Sequence, residues 1–142
     1  MLTTRCAAVM GALLVCGSPA STWARKVCHE AHEQVSLTGR LAHQTFAGPP
    51  NYESVRRGDA REVMPVLHLT RALCVRAPGV DDHRLRNRDI KTVQLLDTDD
   101  LVPSAAKHAY RVRGRLMFAE SGHHHVPVLL EVDRIEDLAG QH

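Results

Sequence analysis

The chain has 142 residues, 44% hydrophobic and 24% charged, enough for one compact domain and too few for two ordinary ones. Its 18 Lys and Arg against 16 Asp and Glu leave a net charge of +2, without the basic excess that non-specific nucleic-acid binding draws on. Nine Gly and seven Pro are too few for a disordered linker protein, so the composition predicts a globule.

Residues 1–24 read MLTTRCAAVMGALLVCGSPASTWA, with Arg5 ahead of an apolar stretch from Cys6 to Gly17 that Ser18 and Pro19 terminate. A membrane span needs about 20 apolar residues, and the shorter run has the form of a secretory signal. Thr22 and Ala24 place small residues for cleavage before Arg25, with cleavage after Ala20 as the alternative. Cys16 follows Leu13, Leu14 and Val15 in a loose likeness to a lipoprotein signal, but the bulky Val15 fits that processing pocket poorly. The expectation is a periplasmic or secreted protein: a signal peptide at 1–24 and a single domain at 25–142, monomeric and without a transmembrane span. Loss of Trp23 with the leader leaves Phe46, Tyr52, Tyr110 and Phe118 as the aromatic residues, a thin supply for stacking unpaired bases. No nucleic-acid partner is expected.

Cys6 and Cys16 lie in the leader, leaving Cys28 and Cys74 in a compartment that oxidises thiols. One intramolecular disulfide is the simplest reading, and two buried thiols are the alternative. Without a Cys-x-x-Cys spacing, a redox-active pair is not indicated.

Gln34 to His43 alternates, with Val35, Leu37, Gly39 and Leu41 on one face, and predicts a first strand. Ala47 to Arg61 is dense in turn formers and predicts a long loop. Glu62 to Leu73 predicts a second strand, in which Pro65 must occupy the start, a bulge or an edge. Arg76 to Asp89 has loop composition, and Ile90 to Leu96 predicts a third strand. Asp99 to His108 carries capping aspartates before Leu101, Val102, Ala105 and Ala106 and predicts a short helix, with Pro103 in its first turn. Tyr110 to Glu120 is the clearest strand, setting Val112, Gly114, Leu116 and Phe118 opposite Arg111, Arg113 and Arg115. After Ser121 to Val126 comes a fifth strand, Pro127 to Ile135. The fold class expected is mainly β: a five-stranded OB-like barrel with one short helix between strands 3 and 4, Gly39 and Gly114 marking sharp bends. A five-stranded sheet covered by one helix is the competing architecture.

The strings Gly48-Pro-Pro-Asn-Tyr-Glu-Ser54, Gly58-Asp59 and Leu73-Cys74-Val75, with Val112-x-Gly114-x-Leu116, Ser121-Gly-His-His-His125 and Pro127-Val-Leu-Leu130, resemble an uncharacterised family of small exported bacterial domains. The resemblance runs from about Cys28 to Ile135, and the family is similar to OB-fold proteins of the Gram-negative envelope. It implies export, the barrel and the Cys28–Cys74 pair rather than a reaction.

Three imidazoles in a row, His123, His124 and His125, are the most unusual local feature. On a strand His123 and His125 face one way and His124 the other, so the first two can converge on zinc, copper or nickel, with Glu120, His43 or His108 completing the set. Alternatively, one imidazole holds the loop by hydrogen bonding, or the loop forms a binding edge. Asn51, Tyr52, Glu53 and Ser54 make either a recognition loop with an aromatic anchor or a loop whose polar groups satisfy its own backbone. Arg111, Arg113 and Arg115, with Arg40, offer guanidinium forks to an anion or form a solvated face paired with Glu131 and Asp133.

Cys28-His29-Glu30-Ala31-His32-Glu33 lacks the spacing of zincin and haem motifs. Asp97, Asp99 and Asp100 lack the glycine and distal glutamate of an EF-hand and read as helix caps. No spacing assembles a nucleophile, base and orienter, or two facing carboxylates. The leading expectation is therefore a non-enzymatic periplasmic module, with no resident cofactor. It recognises an envelope protein or a small polar ligand through Asn51–Ser54 and His123–His125. A metal-binding protein centred on His123 and His125 is the second reading, and a small hydrolase the third.

Overall fold

The computed structural model describes residues 28–76, 89–97, 99–104 and 108–139. The export segment and most of the loop expected at 76–89 lie outside the described residues. Six strands follow in order: β1 (Cys28–His29), β2 (Gln34–Ala47), β3 (Arg61–Val75), β4 (Asp89–Leu96), β5 (Ala109–Phe118) and β6 (Val128–Asp137). The five long strands occupy the five segments expected, with somewhat different ends, and β1 is an addition too short to show a period.

β2 pairs antiparallel with β3 along 39–47 and with β5 along 34–40. β5 pairs antiparallel with β6, β6 lies parallel to β4, and β4 returns antiparallel to β3. The circuit β2–β3–β4–β6–β5–β2 closes a mixed five-stranded barrel, the OB-like architecture expected, and closure removes the free edges a sheet of this size would expose. β1 pairs parallel with β3 beside Cys74. There Cys28 and Cys74 are joined as a disulfide with Cα atoms 4.5 Å apart, which settles the choice against two separate thiols.

β5 is alternately buried and exposed from Ala109 to Leu116, as its sequence period requires. Its inward residues Tyr110, Val112 and Leu116 meet Leu41, Leu67, Val93, Leu95 and Leu130 in the core. Gly39 and Gly114 sit where strands cross closely: a Cβ on the first would collide with the His68 carbonyl, and on the second with the Glu131 carbonyl, inside contact distance. Pairing to β4 begins only at Val66, so one edge of β3 is unpaired at Pro65, the setting a strand proline needs.

The helix expected at Asp99–His108 is absent from the described part of that segment. The only helical element among the described residues is a 3-10 turn at Val55–Arg57, between β2 and β3. The aspartate pattern was real but served a loop: both oxygens of Asp97 accept main-chain N–H bonds, from Leu101 at 2.7 Å and Val102 at 2.9 Å. Asp100 adopts a left-handed φ of 54°, which interrupts right-handed helix. Leu101 and Val102 still pack against the core.

Candidate functional site

Val66, Gln94 and Leu129 stand in register across β3, β4 and β6, outside the main core cluster yet with no exposed surface. A buried amide must find partners, and Gln94 finds them in the loop between β5 and β6. Its Nε2 donates to the carbonyl of His123 and its Oε1 accepts from the N–H of His125, each at 2.9 Å. The histidine loop is thus folded back onto the barrel wall and gripped on both sides of His124.

So anchored, the three imidazoles take separate tasks. His124 turns inward on its own loop, its Nδ1 accepting from the N–H of Glu120 at 2.9 Å and of Ser121 at 3.3 Å. His123 and His125 converge, and the group they meet is Glu62 at the start of β3. His123 Nδ1 lies 2.8 Å from Oε1 and His125 Nε2 lies 2.8 Å from Oε2. These contacts hold the Glu62 carboxyl below its ordinary range, His125 contributing most and His123 next. The His125 ring stacks on Phe46, centroids 4.4 Å apart and 2° from parallel. Phe46 and Glu62 are themselves register partners across β2 and β3.

The loop between β2 and β3 reaches the same place. Asp59, only 5% exposed, organises it from within. Its Oδ2 accepts the N–H groups of Ser54 at 2.7 Å and Glu53 at 2.8 Å, and its Oδ1 accepts the N–H and side-chain amide of Asn51, both at 3.0 Å. These donors, led by Ser54 and Glu53, lower the Asp59 carboxyl to about 2. Arg57 bonds Glu53 at 2.8 Å on the outside of the turn. Tyr52 is thereby held at a left-handed φ of 58°, a conformation that costs about 1–3 kcal/mol and persists only where the surroundings enforce it. Its hydroxyl lies 3.4 Å from His123 Nε2, and its ring meets that imidazole edge-on at 5.6 Å. A Cβ on Gly122 would come within 3.0 Å of the same ring.

The structure therefore brings Tyr52, His123 and His125 together, and places Asn51, Glu53 and Ser54 on the supporting turn around Asp59. Among the described residues no hydrogen bond or ion pair joins Glu120, His43 or His108 to His123 or His125. Sequence reasoning missed Glu62, Phe46, Gln94 and Asp59. Gln94 alone carried a signal, an amide inside an apolar run with a partner still to be found. Both ligand-competent nitrogens on this carboxylate are engaged by its oxygens. Among the described residues no group of three or more His, Cys, Asp or Glu is arranged to hold a metal ion. The arginine face resolves into pairs, Arg115 with Glu131 and Arg111 with Glu136, so the second carboxylate is Glu136 rather than Asp133.

Fold and site together define a small β-barrel that joins two loops into one rigid edge. Residues 92–136, which carry Gln94 and all three histidines but not Glu62 or the Asn51–Ser54 loop, match a family described as Domain of unknown function (DUF4431). No curated protein and no solved structure matches the chain. No helix among the described residues is long and apolar enough to cross a membrane.

Proposed function

We propose that this protein is an exported, non-enzymatic binding module that recognises an envelope protein or small polar ligand at the edge where its two loops meet. The observation that carries the reading is the Tyr52–His123–Glu62 junction, which makes one surface of two loops distant in sequence. In small barrels of this architecture these two loops commonly flank the ligand, a fold-level analogy. Two further features support it. Tyr52, 37% exposed, is one of the exposed large hydrophobic residues among those described, and it belongs to this edge, as an interface anchor does. The Asp59 and Gln94 clamps fix both loops before any partner arrives, which lowers the ordering cost of binding.

The test is photo-crosslinking in the producing cell with a photoreactive residue at Tyr52 or at His123, and at Lys91 as a control. A discrete adduct from the first two positions and not from the third is the expected result, and its mass distinguishes a protein from a small molecule. Adducts absent from both positions, or equally strong from Lys91, overturn the reading.

A further inference from the structure

Between the 30–32 turn and the end of β5 lies a cleft of about 430 Å³. Ala31, Met117 and Phe118 are among its apolar lining residues, and Glu30, His32 and Glu120 among its polar ones. Both walls are fixed. The turn is tied to β5 by His32 N–H to the Leu116 carbonyl at 2.7 Å and Leu116 N–H to the Glu33 carbonyl at 2.9 Å. The opposite wall is held by the His124 imidazole, which takes the N–H of Glu120.

The charges around the cleft are unequal. Glu30 is paired with Arg76 at 3.1 Å, whereas among the described residues the Glu120 carboxylate has no ion pair or hydrogen bond. One uncompensated negative charge beside a preformed apolar hollow matches one positive charge carried on a short hydrocarbon arm, and it disfavours neutral and anionic ligands of the same length. We propose that this cleft is a second binding site, separate from the two-loop edge, for a small aliphatic amine. The ammonium group bonds Glu120, and the alkyl arm lies on Ala31, Met117 and Phe118.

The experiment titrates the oxidised protein with hexylammonium chloride, hexanol and hexanoate at matched ionic strength, following main-chain amide resonances, and repeats the first titration on Glu120→Gln. The expected result is saturable movement of the Ala31, His32, Met117 and Phe118 resonances with hexylammonium. Hexanol and hexanoate bind far more weakly, and affinity falls on the order of tenfold in Glu120→Gln, the loss typical of a charge-assisted hydrogen bond. Glu120 is exposed, so the variant keeps the parent melting temperature. No movement at the cleft overturns the site. Equal response to hexanol, or unchanged affinity in Glu120→Gln, overturns its assignment to an amine. A Tyr52→Ala variant binds hexylammonium as the parent does, which separates this site from the two-loop edge.

Discussion

Gln94 and His125 are 31 positions apart in sequence, and the Oε1 of the first accepts the main-chain N–H of the second at 2.9 Å on a barrel face with no exposed surface at Gln94. The same amide donates to the carbonyl of His123, so a single side chain fixes the main chain that presents two imidazoles. Gln94→Leu keeps the volume and the burial but leaves that N–H and that carbonyl without their partner. An unmet buried polar group costs about 1–3 kcal/mol, so the variant should lose about 2 kcal/mol in urea unfolding. The barrel amides should stay protected in hydrogen exchange while those of 123–125 exchange faster. Equal stability of variant and parent would show that the loop does not depend on this clamp.

Asp59 makes the loop between β2 and β3 sensitive to acid. Its carboxyl is lowered from 3.8 to about 2, so folding favours the ionised form. The stabilisation is complete above the unfolded value and is lost as pH falls from about 3.8 toward 2. Asn at this position has one acceptor oxygen in place of two and cannot hold the Asn51, Glu53 and Ser54 groups together. Asp59→Asn should therefore lower the melting temperature at pH 7, and the difference from the parent should shrink as the pH falls through that window. Thermal melts from pH 2 to pH 7 test this, and a difference that stays constant with pH would remove the carboxylate from the explanation.

What could be read in advance, and what could not, follows from the range of each interaction. The strands were legible because alternation is local: Val112, Gly114 and Leu116 announce an inward face whatever lies opposite. The glycines at 39 and 114 were legible as bends, since a strand interior has little other use for glycine. The pairing of His123 with His125 was legible from the period of two, but their partner was not. Glu62 looks like an ordinary outward residue of a strand, and only closure of the barrel carries it to a loop 61 positions away. The helix expected at Asp99–His108 failed for another reason. Asp before an apolar pair serves a helix N-terminus or a loop turn equally well, and here Asp97 turns the chain with no helix among the described residues that follow it, 99–104.

The disulfide between Cys28 and Cys74 spans 46 positions and ties β1 to the end of β3. Constraint of the unfolded chain over such a loop is worth about 4 kcal/mol in the chain-entropy model. Cys28→Ser and Cys74→Ser should each cost about that much, and the double variant should cost little more than either alone, because the bond is already lost with the first change. Denaturant unfolding under non-reducing conditions measures all three. Additive losses would mean that the two sulfurs act independently.

The Glu62 carboxylate decides between a binding edge and a metal centre at His123 and His125. Its pKa is lowered by His125 and then His123, so its contribution is present above the ordinary 4.5 and is lost as pH falls below that through the lowered value. Glu62→Gln has a single acceptor oxygen and can accept from only one of the two imidazoles, so the Tyr52 and His123 ring resonances should move at neutral pH while the core methyl resonances do not. Zinc, copper or nickel bound where His123 and His125 converge would compete with the Glu62 oxygens for His123 Nδ1 and His125 Nε2. Calorimetric titration of the oxidised protein with each metal should give no tight stoichiometric complex that is lost when His123, His124 and His125 are all changed to Ala. A tight complex abolished by that variant would make metal binding the function of this edge. The same complex weakened in Glu62→Gln would place the carboxylate in that metal site, as a ligand or as the hydrogen-bond partner that orients a ligating imidazole.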